Sequence, residues 1–525
     1  MQIRQESRLE RGLRLAAMGL SAFFVLVFLY TAMRRLHYPF EIDRVESGMI
    51  TSVWRLRHGY PLYAAPSMEW ASFLYAPLFF YLAAGFSKVM GLSYAPLRLV
   101  SVLSTLGSFG VIYAMVWKET RRWTAALVAV GLYASMYVIV LGWFDVGRVD
   151  SLSVFLFLLA VFATRRTHPL LAAVVWLLAF HSKQTFLPLG FAMFLVEWQR
   201  PRRMLMGMAA FAAMAWASVA WLNHVTQHWY SFYAFGTTGA LGWAPRPAAM
   251  FLPFDLFEPL PIALAVIFAA IMLAPMRWRE RDGLFFAIVT VLVGGAIWFV
   301  RAHAGANINA TIPLYAWIAI LTGVAVHRLL ERWEARWEAR WEAGDAPSAW
   351  ASAGPALLWM ALAVQLFGHI YRPGQILPTA GQLAARERFM ASLKATPGDV
   401  WVVNHSYDGL LAGKPMHPDM DAFDAIMGRH YAPAVDQFNS LMMQQHFSAV
   451  VLDHAPEGYK PEGLFTTPPF GPAYALRTMA AGTEGGAQAD QPQFVMLPCV
   501  AAVASTSQPG LLNVSAGFVD RSNCR

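Results

Sequence analysis

A succession of long apolar runs, separated by short polar loops, occupies the first 371 residues of the chain. A helix of about 20 apolar residues is long enough to cross the hydrocarbon core of a membrane, which is roughly 30 Å thick. Charged residues make up only 14% of the sequence, whereas soluble globular proteins carry about 25%. The sequence therefore predicts a polytopic membrane protein whose spans are α-helices, since a helix satisfies its own backbone hydrogen bonds in lipid.

The basic residues are distributed in a way that argues against nucleic-acid binding, despite a net charge of +8. They form short clusters between apolar runs, as at Lys118–Arg122, Arg200–Arg203 and Arg277–Arg281. Such clusters are typical of cytoplasmic loops. The first apolar run also follows several arginines, but it lacks a suitable cleavage site near Tyr30–Arg34. We interpret it as an uncleaved first helix with a cytoplasmic N-terminus, rather than as a signal peptide.

Placing these clusters inside leads to about eleven spans. Only one span, 97–117, fits between the first polar loop and Lys118–Arg122. The apolar run 74–90 is therefore assigned to a helix lying on the outer surface of the membrane. Because the number of spans is odd, the last one, 349–371, leads to a C-terminal segment outside the cytoplasm. The segment 145–150 is also expected outside.

We expect a membrane domain, residues 1–374, followed by an extracytoplasmic domain, residues 375–525. The second domain has helical and strand-like patterns in alternation, at 381–394, 399–403, 431–446 and 448–453. That alternation predicts a small α/β domain. Its tail, with a strand-like segment at 493–498, is expected to be partly irregular. The predicted fold class is an all-α polytopic membrane protein with additional juxtamembrane helices and a small C-terminal α/β domain.

The two cysteines, Cys499 and Cys524, both lie in this C-terminal domain. An extracytoplasmic position permits oxidation, so we predict a disulfide bridge between them. Two cysteines are too few for the usual zinc-binding spacings, and the chain has neither a P-loop nor a dinucleotide-binding fingerprint. A phosphate-bearing substrate must therefore be held by other groups.

Two acids, Asp43 and Glu46, follow the first apolar run at a spacing of i and i+3. One interpretation is a capping box, in which Asp43 caps a helix over about 44–57 and Glu46 reaches back. The other is catalysis, since a carboxylate at the edge of a membrane cavity is well placed to accept a proton. The two interpretations do not exclude each other.

The segment 144–150 carries Asp145, Arg148 and Asp150 between two apolar runs, which predict membrane spans over 123–142 and 150–164. Charges at a membrane boundary are costly unless they pair or have a function. The two acids can simply pair with the arginine. Alternatively, the guanidinium of Arg148 binds a phosphate through two oxygens at once, and Asp150 takes part in catalysis.

Two further polar groups belong to the predicted outer face. The first contains His181, Lys183 and Gln184 at the end of a short apolar helix; its lysine either extends to the membrane surface or binds a phosphate. The second contains Arg301, His303, Asn307 and Asn309, which offer a cation and amides that bind hydroxyls, although a lone histidine is more often structural. Together these loops suit an anionic lipid substrate with a polyhydroxylated head group.

The order of several short motifs resembles the GT-C superfamily of membrane glycosyltransferases, near its protein O-mannosyltransferase and aminoarabinose-transferase branch. The motifs are Asp43…Glu46, Gly59–Tyr63, Tyr75–Leu78, Leu97–Leu99, Gly147–Asp150, Lys183–Gln184 and Gly305–Asn307. The resemblance covers most of residues 10–330, and the segment Leu410–Pro415 is similar to extracytoplasmic tails of related bacterial chains.

This resemblance implies a polyprenyl-phosphate sugar donor, an extracytoplasmic acceptor and inversion at the anomeric carbon. It also implies a bacterial inner membrane, with the C-terminal domain in the periplasm. An acid of the first loop would be the general base; Asp43 is favoured by position over Glu46. Metal use varies across the superfamily, so a divalent metal is left open.

Two other classes of function are considered beside the transferase. A transporter or lipid flippase predicts inverted repeats and ionisable residues near the middle of the bilayer, and the chain has no clear repeat. A non-enzymatic assembly protein predicts that alanine at Asp43 or Asp150 leaves function intact.

Overall fold

The structure, a computed structural model, describes residues 6–239, 242–274, 281–343, 349–427, 431–453, 474–479, 494–498 and 514–520. The described residues before about 370 are predominantly helical. The first helices are α1 (Arg8–Leu36), α2 (Val45–Arg57), α3 (Leu78–Met90), α4 (Tyr94–Thr120), α5 (Trp123–Ser135), α6 (Val149–Arg166), α7 (Pro169–Ser182) and α8 (Phe186–Met193). The following ones are α9 (Pro201–Val225), α10 (Trp229–Ser231), α11 (Pro245–Met250), α12 (Pro261–Leu273), α13 (Arg281–Arg301), α14 (Ile312–Glu342) and α15 (Ala349–Gly368).

Five helices within the described ranges are long and apolar enough to cross a membrane. They are Arg8–Leu36, Tyr94–Thr120, Pro201–Val225, Asp282–Arg301 and Ile308–Arg340. Two bent helix pairs raise that number to seven if each counts as one span. The predicted class of polytopic helical membrane protein is confirmed, whereas the number of eleven spans and their orientation stay predictions.

The helix boundaries follow the sequence patterns closely, with one informative exception. The predicted span 123–142 is helical only as far as Ser135. Leu141 and Gly142 have φ angles of 56° and 70°, which a right-handed helix does not allow. The chain therefore turns before it reaches Asp145, and the turn places a backbone carbonyl, that of Gly142, against the guanidinium of Arg35 at 3.0 Å.

The membrane helices form one apolar core, in which α1 packs against α5 and α15, and α6 packs against α4 and α7. Trp176, Trp317 and Trp359 are among its largest fully buried side chains. At the crossing of α1 and α5, a Cβ atom built on Gly131 would lie 2.2 Å from the Cβ and 2.4 Å from the Cα of Ser21. The absence of a side chain at Gly131 thus permits the close approach of the two helices.

We expect Gly131→Ala to destabilise the protein by about 1–3 kcal/mol, because the added methyl group forces α1 and α5 apart. Gly110→Ala is the matched control: it lies within α4 with no atom within 4 Å of an added Cβ, so it should be neutral or slightly stabilising. Thermal unfolding of both purified variants in one detergent checks this. Equal unfolding temperatures would contradict the tight crossing.

The C-terminal region contains helices and a small mixed sheet. Its elements are α16 (Ala380–Ala395), β1 (Val400–Val402), α17 (Ser406–Leu411), α18 (Met420–Met427), α19 (Ala432–Met443), β2 (Ala449–Leu452), β3 (Tyr474–Met479), β4 (Phe494–Pro498) and β5 (Val514–Asp520). The strand order is β1-β2-β4-β3-β5. β1 and β2 are parallel, with Val400 opposite Ala449, and the other neighbours are antiparallel. The predicted α/β composition is confirmed.

Three other sequence-based predictions stay predictions. The predicted boundary at residue 375 falls between α15 and α16, yet its role as a domain limit stays a prediction. Cys499 and Cys524 lie outside the described residues, so the predicted disulfide stays a prediction too. The assignment of 74–90 to the outer surface is likewise untested; α3 has 13 residues, which corresponds to about 20 Å of helix.

Candidate active site

Asp43 lies in the first loop, just before α2, and both its carboxylate oxygens accept hydrogen bonds. Oδ1 accepts from Arg148 Nη1 at 2.8 Å and from the backbone N–H of Val45 at 3.1 Å. Oδ2 accepts from Trp143 Nε1 at 2.8 Å. The guanidinium of Arg148 also lies 4.5 Å from the centre of the Trp143 ring, a distance at which a cation and an aromatic face attract each other.

Asp150, at the start of α6, is the centre of the same network. Its Oδ1 accepts from Lys183 Nζ at 2.8 Å and from Asn309 Nδ2 at 3.0 Å. Its Oδ2 accepts from Arg148 Nε at 3.2 Å. Asp150 is only 1% exposed, and three donors from separate parts of the chain hold it in place.

The structure thus brings together five of the residues singled out in the sequence: the charged Asp43, Arg148, Asp150 and Lys183, and the amide of Asn309. They come from the first loop, the start of α6, the loop after α7 and the loop after α13, which are far apart in sequence. Two carboxylates and two cations give the group no net charge. An arginine shared by two acids has its position fixed from both sides, which suits a site that must hold charges in a defined geometry.

Glu46, the second candidate base, has a different position. Its carboxylate is fully buried and accepts four hydrogen bonds, two from Arg98 and one each from the backbone N–H groups of Ile42 and Gly147. Burial raises the pKa of the Glu46 carboxyl, but the Arg98 guanidinium and these two N–H groups together hold it below its ordinary value. A carboxylate with four donors has no acceptor position left for a substrate proton.

The capping box predicted for Asp43 and Glu46 is present only in part. Glu46 reaches back, but to the N–H of Ile42, and Asp43 accepts from Val45. We infer that Glu46 joins the first loop to the Gly147 turn through Arg98; its assignment as a catalytic residue stays a prediction. Gly147 is needed here, because a Cβ on it would lie 2.8 Å from Leu97 Cβ.

Asp145 pairs with a different arginine from the one that Asp43 and Asp150 share. It is 1% exposed and accepts from Arg35 Nη1 at 2.8 Å. The same nitrogen of Arg35 donates to the hydroxyl of Tyr137 and to the carbonyl of Gly142. Asp145 therefore fixes the end of α1 against the turn after α5, and we infer a structural role; the predicted substrate contact stays a prediction.

In the loop after α13, Asn309 contacts the network by donating to Asp150, and the neighbouring predicted residues have other partners. Arg301 donates from Nε to Asp255 Oδ2 at 2.8 Å and from Nη1 to the carbonyl of Ala306. His303 Nδ1 lies 2.8 Å from the carbonyl of Phe299. Asn307 caps the short 3₁₀ segment Ile308–Thr311 by accepting from the N–H of Ile308.

The three predicted site residues at the end of α7 have different partners. His181 Nε2 lies 2.9 Å from Ser218 Oγ on α9, and Gln184 donates to the carbonyl of Leu74 at 2.5 Å. Among the described contacts, neither side chain bonds the Asp43–Asp150 network. Of this predicted group, Lys183 alone reaches Asp150.

The C-terminal domain lies directly against the first loop. The Oγ of Ser47 accepts from the backbone N–H of Tyr407 at 3.0 Å. Arg44, next to Asp43, forms an ion pair with Asp421 of α18 at 3.1 Å. Burial raises the pKa of the Asp421 carboxyl, and the charge of Arg44 opposes that rise. The domain therefore adds an acid to the surroundings of Asp43.

Sequence reasoning did not single out Trp143, Arg98 or Asp421 as part of this region. Arg98 was visible only as one letter of a family motif, and Trp143 as an aromatic residue at the end of an apolar run. Asp421 had no signal of its own, because only the folded chain brings the C-terminal domain to the first loop.

Comparisons with known proteins bear on the fold. A sequence model of Glycosyltransferase family 87 matches residues 73–302. The fold is similar to that of ArnT from Cupriavidus metallidurans in the apo state, with a TM-score of 0.53 and 16% identity over 92% of this chain and 98% of that chain. The same protein bound to undecaprenyl phosphate gives a TM-score of 0.51 and 15% identity over 91% and 97%. No curated protein matches the chain in sequence.

These likenesses establish the fold. The chain is an integral membrane protein with the architecture of a GT-C glycosyltransferase, as the order of its motifs predicted. At 15–16% identity to the solved structures, the comparison speaks for the architecture and not for a particular substrate.

Proposed function

We propose that the protein transfers a sugar from a polyprenyl-phosphate-linked donor to a hydroxyl group of an extracytoplasmic acceptor, with inversion at the anomeric carbon. The acceptor would be a lipid, a polysaccharide or a protein. The observation that carries the proposal is the network of Asp43, Arg148, Asp150 and Lys183, in which two acids and two cations are held within hydrogen-bond distance.

Asp43 is the general base in this proposal. A hydroxyl is a weak nucleophile, so a carboxylate has to take its proton as the new bond forms. Asp43 is 9% exposed, against 1% for Asp150 and 0% for Glu46. Its three donors leave room for one more among the roughly four acceptor positions of a carboxylate.

Arg148 and Lys183 hold the leaving phosphate. The negative charge on the phosphate oxygens grows as the bond to the sugar breaks, and cations fixed beforehand stabilise it most effectively. The side chain of Lys183 is 15% exposed, and among described contacts one of its three N–H donors is used, by Asp150. Asp150 and Asn309 position this lysine and Arg148.

The likeness to ArnT supports the choice of donor. That protein has been solved bound to undecaprenyl phosphate, and a lipid phosphate is the kind of ligand that a largely buried pair of cations fits. We assign no direct contact with the phosphate to Arg301, His303 and Asn307, which lie in the same segment as Asn309 and have other partners.

A deletion strain tests the proposal. We expect its lipid extract to accumulate one polyprenyl-phosphate sugar and its surface glycans to lose that sugar, because the transfer step is missing. Mass spectrometry of both fractions measures this and identifies the sugar. Unchanged lipid-linked sugars and surface glycans would contradict the proposal. Full restoration by the Asp43→Ala/Asp150→Ala double variant would instead favour a flippase or an assembly protein.

A further inference from the structure

A buried cluster of metal-type ligands lies where the C-terminal domain meets the first loop. It consists of Glu41 from the loop, and His405 and Asp408 from the domain, which are 4%, 1% and 0% exposed. Each offers one donor atom, and the three donor atoms lie within 4.8 Å of one another. The cluster does not belong to the Asp43–Asp150 network.

Each of the three side chains has one buried polar atom without a hydrogen bond: Glu41 Oε2, His405 Nδ1 and Asp408 Oδ1. A buried polar atom without a partner is costly, so its repetition in three neighbouring residues calls for a ligand. His405 Nδ1 lies 2.5 Å from Glu41 Oε1, an ion-pair distance for a protonated imidazole.

The other atoms of the cluster are already held. Arg386 Nη2 donates to Glu41 Oε1 at 2.6 Å and to Asp408 Oδ2 at 2.5 Å. His405 Nε2 lies 2.8 Å from Asp453 Oδ1. Metal-binding histidines generally donate their second ring N–H to a carboxylate, and metal-binding carboxylates are hydrogen-bonded in turn. When Nε2 is the donor, Nδ1 of a neutral imidazole carries a lone pair and can bind a cation.

The charges point in the same direction. Glu41, Asp408 and Asp453 supply three negative charges and Arg386 supplies one positive charge. A divalent cation that takes the place of a proton on His405 Nδ1 leaves this buried group neutral. One imidazole nitrogen with carboxylate oxygens is a ligand set that zinc and related transition metals accept.

We propose that Glu41, His405 and Asp408 bind one divalent transition-metal ion, which fastens the C-terminal domain to the first loop. Arg386 and Asp453 orient the ligands without touching the ion. Since Glu41 lies two residues before Asp43, the ion also limits the movement of the loop that carries the proposed base.

Metal binding by the full-length protein tests this directly. The protein in detergent is stripped with a chelator, dialysed against buffered Zn²⁺ and analysed for metal content. We expect about one Zn²⁺ per chain in the wild type and its loss in His405→Gln, because the imidazole is the only nitrogen ligand. Asp453→Asn keeps all three ligands but loses their orientation, so the affinity should fall about 10–100-fold.

His446→Gln is the matched control. His446 Nε2 lies 3.0 Å from Asp399 in the same domain, but outside the cluster, so this variant should retain the ion. Absence of Zn²⁺ from the wild type, or an equal content in wild type and His405→Gln, would overturn the proposal and leave an ion-pair network. If His405→Gln fails to fold, an unchanged affinity in Asp453→Asn overturns it. None of these readouts depends on sugar transfer.

Discussion

Asp43→Asn is expected to lower the rate of sugar transfer by about 10²–10⁴-fold, the usual effect of losing a general base. The amide cannot take a proton from the acceptor hydroxyl. It retains one oxygen that can accept from Arg148, so the site should remain assembled and donor binding should change little. Single-turnover transfer with the donor identified from the deletion strain, measured beside donor binding, separates the two effects.

Two variants serve as references for this result. Lys183→Met should weaken donor binding as well as transfer, because it removes a cation from the phosphate site and leaves Asp150 with one donor fewer. Asp436→Asn repeats the Asp→Asn change at an exposed position of α19 and should behave as wild type. Near-normal transfer by Asp43→Asn would move the role of base to Asp150, and near-normal transfer by Asp43→Asn and Asp150→Asn alike would refute the mechanism.

The parts of this molecule that depend on local patterns could be predicted from the sequence. The helix expected at about 44–57 is Val45–Arg57, and the span expected at 150–164 is Val149–Arg166. Apolar periodicity and the punctuating polar residues determine such boundaries locally. Asp43 and Asp150 were both expected at the outer face of the membrane, and Arg148 pairs with both in the structure.

The roles of individual acids could not be predicted, because their partners are distant in sequence. Glu46 and Asp43 are both acids in the same short segment, but only Glu46 pairs with Arg98, 52 residues away. Asp145 and Asp150 stand in one short segment, yet Asp145 pairs with Arg35, 110 residues away. For Asn307 and Asn309, the 3₁₀ turn decides which amide reaches Asp150. A single sequence contains no local signal for such choices.

Glu46→Gln is expected to destabilise the protein by about 3–5 kcal/mol, since it leaves the buried Arg98 without its counter-charge. Arg98 uses all five of its N–H donors, two for Glu46 and three for the carbonyls of Arg35, Tyr38 and Phe40. In the variant, an NH₂ group replaces one carboxylate oxygen. This NH₂ group, itself a donor, then faces the two N–H groups that donated to that oxygen.

The matched control is Glu334→Gln. Glu334 also forms a two-pronged pair with an arginine, Arg122, but the two side chains are 40% and 31% exposed. Exposed pairs contribute about 0–1 kcal/mol, so this variant should unfold almost as the wild type does. Thermal unfolding at a fixed scan rate in one detergent compares the three proteins.

Because Glu46 also accepts from the N–H of Gly147, its loss should displace the turn that carries Arg148 and reduce donor binding. A Glu46→Gln protein that is as stable as wild type, yet inactive with normal donor binding, would contradict the structural role and return Glu46 to the position of a base.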